Sequence, residues 1–349
     1  MHHASLMRQR ARSHHETRTT RGWHFNLLDL IALAALVTLP ALRADTVGTD
    51  TIVYHRLFDA VPAEASLQDA LTIIPQESGF VVLIFVIKLF GGSFHTLLWI
   101  SSALAVVPAY VAIKRRSLDT TLAIALYTLL GFYFATFNTI RQSIAISLIF
   151  LGATYLVRRK GWVPFLIFGA IATSFHTSAI IAVIAYLLAT RWRVTTRNFI
   201  FASVMAIALT AAIWASPWLA SLLYWVDPSY VYYVDERIAA GLGLYLIIAA
   251  RAALLIYGFS LKPQGDAMKY AAWSAIGVMC IIVGTQSIIA SRLGGYFLIC
   301  LCLFIPNVMA ERHVSKTIRY SLIGISAVYA AFYLENYGDL TPYVTAHAA

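Results

Sequence analysis

Apolar runs close to bilayer length recur along this chain from about residue 26 to about residue 336, with few charges inside them. A helix needs about 20 apolar residues to cross a bilayer. Backbone in lipid must also satisfy its hydrogen bonds within its own helix or a closed barrel. These runs are long and do not alternate, so the pattern specifies an all-α, polytopic membrane bundle. Of the 349 residues, 60% are hydrophobic and 12% charged, against roughly 25% charged in a soluble domain. Residues 1–25 read as a disordered, basic cytoplasmic tail, and residues 26–343 as one membrane domain.

The net charge of +10 would suit a nucleic-acid ligand, but its distribution argues against that class. Lys and Arg cluster in short linkers: Lys114-Arg115-Arg116, Arg158-Arg159-Lys160, Arg191/Arg193/Arg197, Lys262 with Lys269, and Arg312/Lys316/Arg319. Cytoplasmic loops carry such clusters under the positive-inside rule. With the basic tail inside, spans fall at about 26–42, 94–113, 120–137, 140–157, 162–174, 177–190, 198–216, 243–261, 269–288, 293–310 and 319–336. That gives a bundle of 10–12 spans. Residues 79–92 are apolar but short and contain Lys88. Counted as a span they would move every later basic cluster outside, so they read as a re-entrant or interfacial helix. The short spans 162–174 and 177–190 read as a hairpin with His176 at its tip.

Polar groups are costly at membrane depth, so their positions mark where chemistry can occur. In this topology Arg141, His176 and Arg292 lie on three different linkers that all reach the outer face. Asp50, Tyr54, Glu77 and the aromatic loop YWVDPSYVYYVDER (224–237) reach it too. Each has a plainer reading. Arg141 and Arg292 would serve as snorkelling cations at helix ends, and His176 would satisfy a free carbonyl at a hairpin tip. Asp50 would cap a short helix, and Glu77 would be a solvated acid. Arg251 is different: it falls mid-span in LYLIIAARAALLIY (244–257), where a charge costs at least ~2.5 kcal/mol and must face a partner or a wet cavity.

Cys280, Cys300 and Cys302 sit in apolar runs, where cysteine acts as a small hydrophobe. No cluster has metal-ligand spacing, so neither a metal nor a cofactor is expected. The chain lacks a GxxxxGK[ST] phosphate loop and an HExxH pair, and a GxSxG elbow.

Five segments, GTDTIVYHRLF (48–58), QESGFVVLI (76–84), NTIRQSIAISLIF (138–150), SFHTSAII (174–181) and SRLGGYFLI (291–299), resemble in order and spacing the EpsG family of exopolysaccharide polymerases. The terminal NYGDLTPY (336–343) is similar to that family's ending. The resemblance implies a Wzy-like, O-antigen-polymerase type of glycosyltransferase with a GT-C-like bundle and an outward-facing cavity. Its substrates would be polyprenyl-diphosphate-linked oligosaccharides, as donor and acceptor, on the outer face of the bacterial inner membrane. Membrane lipid, a chain-length regulator or a flippase would be its partners. Arg141, Gln142, Arg292, Arg251 and Tyr54 would bind substrate and diphosphate; His176, Glu77 or Asp50 would supply the base. A lipid-linked-oligosaccharide flippase and a ligase-like glycan transferase are the alternatives.

Overall fold

The computed structural model describes residues 24–157, 161–190, 242–285 and 288–346, with isolated positions between 197 and 208. The aromatic loop 224–237, nearly all of the expected span 198–216, and the basic groups at 158–160 and 191–193 lie outside the described residues.

Among the described residues the regular elements are helices: α1 (Leu27–Ala41), α2 (Thr51–Asp59), α3 (Leu67–Ile73), α4 (Ser78–Leu89), α5 (Phe94–Arg116), α6 (Thr120–Leu129), α7 (Ile140–Leu156), α8 (Trp162–Phe175), α9 (Ala179–Ala189), α10 (Leu242–Ser260), α11 (Gly265–Val283), α12 (Ile288–Leu298), α13 (Leu301–Glu311) and α14 (Lys316–Asn336). Among the described residues, five helical stretches are long and apolar enough to cross a membrane: Phe94–Arg116, Gly243–Ser260, Gly265–Val283, Ala290–Glu311 and Lys316–Asn336. The fourth joins α12 and α13 across a single turn. Large apolar side chains such as Leu28 (75% exposed) and Val328 (73% exposed) cover the outside of the bundle, as lipid-facing surface requires.

Helix α7 is the axis of the bundle. Nearly all of its side chains are buried, the signature of a helix enclosed on every face. It packs between α5 and α8. The Ser147 hydroxyl donates to the Leu104 carbonyl of α5 at 3.0 Å.

The bundle has two chemically distinct ends. At one, cations close helix termini by donating to free carbonyls, which suits the negative C-terminal end of a helix. The Arg116 Nε donates to Thr154 O at 3.0 Å and Lys269 Nζ to Val157 O at 2.7 Å. Arg319 pairs with Asp119 at 3.1 Å. Here α1 begins with a reciprocal cap between Asn26 and Asp29. The buried Asp29 also accepts from Lys114 Nζ at 2.8 Å and from the Tyr110 hydroxyl at 3.1 Å.

At the opposite end the last residues form a strap. Ala44 N–H donates to Val344 O, Ala346 N–H to Leu42 O and Gly48 N–H to Asp339 O, each at 2.9 Å. The Asn138 amide donates to Gly338 O at 2.9 Å. Gly48 (φ +92°) needs its lack of a side chain, because a Cβ there would stand 2.4 Å from Asn138 Oδ1. The strap thus ties the start of α2 to the start of α7. Arg43, just past the first expected span, is 1% exposed; its Nε donates to Thr51 Oγ1 at 3.0 Å.

Three expected spans differ from the helices. The span at 120–137 ends as α6 at Leu129, turns at Gly131 (φ +88°) and resumes as a 3₁₀ turn over Phe134–Phe137. The left-handed glycine breaks the helix, and the Tyr333 ring lies where its side chain would go. The span at 269–288 runs instead over Gly265–Val283, and that at 293–310 begins at Ile288 and carries the turn between α12 and α13. Helix α4 has 12 residues, or ~18 Å at 1.5 Å per residue. Both its ends meet α2: Phe80 lies edge-on to Tyr54 with ring centroids 5.5 Å apart, and Lys88 sits 4.1 Å above the Phe58 ring. It lies at the strap end rather than across the bundle.

Removing one member of a buried ion pair strands the other charge at a cost of about 3–5 kcal/mol. Asp29→Ala should therefore lower the melting temperature in detergent by several degrees, and Asp29→Ala with Lys114→Met should recover much of the loss. Equal melting of single variant and wild type would remove this pair from the account of the fold.

Candidate active site

Three short elements converge at the strap end. Glu77 occupies the N-cap position of α4 without making a side-chain cap. Its carboxylate turns instead toward α7 and toward the α8–α9 hairpin. Arg141, in the first turn of α7, ion-pairs through Nη1 with Glu77 Oε2. His176, at the hairpin tip with extended backbone, places Nδ1 2.8 Å from Glu77 Oε1. The Thr177 N–H donates to the same oxygen at 3.2 Å. The three side chains are 15–21% exposed, so they are shielded yet still reachable.

Burial alone would raise the Glu77 carboxyl. The His176 hydrogen bond and the Arg141 charge outweigh it and hold the group at about 2. An ionised carboxylate can only accept, so His176 Nδ1 carries the proton and donates. When the ring is neutral, its lone pair is then on Nε2. Arg141, expected from the resemblance to bind substrate and diphosphate, is ion-paired with Glu77 in this structure.

Tyr54 of α2 adjoins this group. Burial raises its phenol, and the charge and hydrogen bond of Arg141 pull it back down. Asp50 is half-buried at the N-cap position of α2, yet its side chain makes no cap. It accepts from the Thr49 hydroxyl at 3.3 Å. Gln142 points to the next face of α7, where its Nε2 donates to the Arg292 carbonyl of α12 at 2.7 Å. This bond brings exposed Arg292 beside the start of α7.

Arg251 is not part of this group. It lines a separate cavity of about 270 Å³ with Ser143, Ser147, Thr136 and Tyr333. Ser143 is two residues beyond Arg141, about 200° round the helix at 3.6 residues per turn, so the cavity lies on the far side of α7. The Arg251 Nη2 donates to Leu130 O at 3.2 Å.

Tyr296 and Ser178 do not stand out in the sequence. The Tyr296 hydroxyl is 3.2 Å from Ser178 Oγ, which joins α12 to the turn that carries His176. The Tyr186 hydroxyl donates to the Tyr296 carbonyl at 2.7 Å. Ser178 is two residues after His176, and Tyr296 is one helical turn after Arg292. That spacing was the available signal, but a Tyr in an apolar run reads as packing.

A carboxyl held below its unfolded value adds stability that is complete above the unfolded value and is lost as pH falls through the folded one. The Glu77 contribution should therefore be intact above ~4.3 and vanish toward pH 2. Melting temperature against pH in detergent should fall less steeply for Glu77→Gln than for wild type over that window. Identical slopes would show that Glu77 is not held as described.

Comparison with characterised proteins and with solved structures returned no match. The model of the EpsG family matches residues 26–345, nearly the whole chain. The chain belongs to the EpsG family, membrane proteins of polysaccharide biosynthesis.

Proposed function

We propose that this protein is a Wzy-like polymerase that joins polyprenyl-diphosphate-linked oligosaccharide repeats, undecaprenyl being the carrier, at the outer face of the bacterial inner membrane. The observation that carries the reading is the Glu77–His176 contact of 2.8 Å, which leaves Nε2 as a proton acceptor. The basic end of the bundle then faces the cytoplasm, in keeping with the positive-inside rule, and the Glu77 end faces outward.

The acceptor sugar's hydroxyl is a poor nucleophile until it loses its proton. His176 Nε2 takes that proton as the oxygen bonds to the anomeric carbon of the donor. The bond from that carbon to the lipid diphosphate breaks, and its electron pair leaves on the diphosphate oxygen. Glu77 orients the ring and stabilises the imidazolium that forms, the division of labour of a hydrolase triad. Arg141 and Thr177 N–H fix Glu77 in turn. Arg292, drawn beside α7 by Gln142, supplies charge for the departing diphosphate; a guanidinium matches phosphate oxygens with paired donors. Asp50 and Tyr54 border the position for the sugars.

A flippase would place polar groups along the depth of the bundle. The named groups gather at one end, and of them Arg251 alone lies midway along a spanning helix, which favours the polymerase.

A positioned base contributes typically ~10²–10⁴-fold. With purified protein and lipid-linked repeat, wild type should yield a ladder of long glycans. His176→Ala should bind the repeat and lose elongation by that factor. Wild-type elongation by His176→Ala together with a dead Glu77→Gln would transfer the role of base to Glu77. Deletion that traps lipid-linked repeats on the cytoplasmic side, with no single-repeat product outside, would support a flippase.

A further inference from the structure

The Arg251 cavity adjoins an apolar groove of about 360 Å³ between α10 and α14, lined by Leu130, Ala253, Leu254, Ile318, Leu322 and Ile325 among others. Consecutive residues divide the two spaces. Leu130 lines the groove and Gly131 the cavity. Ala250 faces the groove and Arg251 the cavity. On α14, Tyr329 borders the groove and Tyr333, one turn on, borders the cavity. The groove opens at the lipid-facing side of the bundle, where Ile325 is 67% exposed.

Two polar atoms at this divide are sealed from solvent without a hydrogen-bond partner among the described residues: Arg251 Nε and the Tyr329 hydroxyl. Leaving such a group unpaired costs about 1–3 kcal/mol. A permanent cation midway along a spanning helix, with a donor to spare, fits an anionic ligand. The apolar trough beside it fits a long hydrocarbon chain. The two together match an amphiphile with a phosphate head and an isoprenoid tail.

We propose that the α10–α14 groove admits the isoprenoid chain of a polyprenyl diphosphate from the bilayer, with Arg251 taking its diphosphate. This rests on the polymerase reading for the biological lipid and adds to it a second substrate position. His176 and Arg251 act on opposite sides of α7, and a helix with its side chains is about 10–12 Å across. A base must act beside the anomeric carbon that bears the leaving diphosphate, so the reacting diphosphate stays on the His176 side of α7, within reach of Arg292, whose neighbours Ser291 and Gly295 border the Arg251 cavity. The Arg251 site therefore holds the diphosphate that stays intact during the turnover. That is the acceptor's, which remains joined to the reducing end of its own repeat while its far hydroxyl reaches His176.

The test uses the full chain in nanodiscs, with p-benzoylphenylalanine replacing Ile325 and radiolabelled undecaprenyl diphosphate as the probe. Photolysis should cross-link the lipid to this position. Arg251→Gln should reduce the yield about tenfold, and so should Ala253→Trp, which fills the groove and leaves the cation in place. His176→Ala should leave the yield unchanged while abolishing elongation. Undecaprenol, which lacks phosphate, should compete poorly and excess inorganic diphosphate should lower the yield; competition by undecaprenol equal to that by unlabelled undecaprenyl diphosphate would overturn the role of Arg251. Equal cross-linking in wild type, Arg251→Gln and Ala253→Trp would overturn the proposal, as would equal capture of phosphatidylglycerol, the mark of an ordinary annular lipid. Elongation by wild type with no cross-link would sink this site and leave the polymerase standing. A specific cross-link without elongation would do the reverse.

Discussion

The chemistry proposed here depends on one carboxylate. Glu77 receives a guanidinium from α7, an imidazole from the α8–α9 hairpin and a backbone N–H from Thr177. Each donor favours the ionised form, and together they overcome the cost of burial. The consequence is directional: an ionised Glu77 fixes which nitrogen of His176 bears the proton, and so which can accept one. Without that contact Arg141 would be a partly buried charge with no acid, and His176 an imidazole free to choose its tautomer.

The rest of the fold holds these three elements in register. The strap at Gly338–Ala346 binds the start of α2 and, through Asn138, the start of α7. Tyr296 and Ser178 hold the hairpin tip against α12. At the opposite end, cations on helix-terminal carbonyls and the Asp29–Lys114 pair anchor the other termini. The bundle is thus fastened by polar contacts at both ends, while its apolar sides face lipid. That division follows from a solvent that offers no hydrophobic drive between helices.

Much of this was legible in the sequence because polar residues are scarce in it. The apolar runs showed an all-helical membrane bundle, and Arg141, His176, Glu77 and Arg251 each stood out singly. Their pairing did not. Glu77 is 64 residues from Arg141 and 99 from His176, and no local pattern distinguishes a solvated acid from one that orients a base. Weighed one at a time, Glu77 and His176 are alternative bases and Arg141 a ligand for diphosphate; only the fold joins the three in one group. The break at Gly131 was equally hidden, since a single glycine in an apolar run is compatible with a continuous helix. Gly48, Asn138 and Gly338 carried part of the family resemblance with no visible role, and their meeting under the strap supplies one.

The central claim is that Glu77 sets the tautomer of His176. It is tested most directly by ¹⁵N NMR of histidine-labelled protein in nanodiscs at a pH where the ring is neutral, with His176 assigned by difference from His176→Gln. The account predicts a protonated Nδ1 and a bare Nε2 in wild type, giving way to a mixture of tautomers in Glu77→Gln. A wild-type ring protonated on Nε2, or a spectrum unmoved by Glu77→Gln, would contradict it.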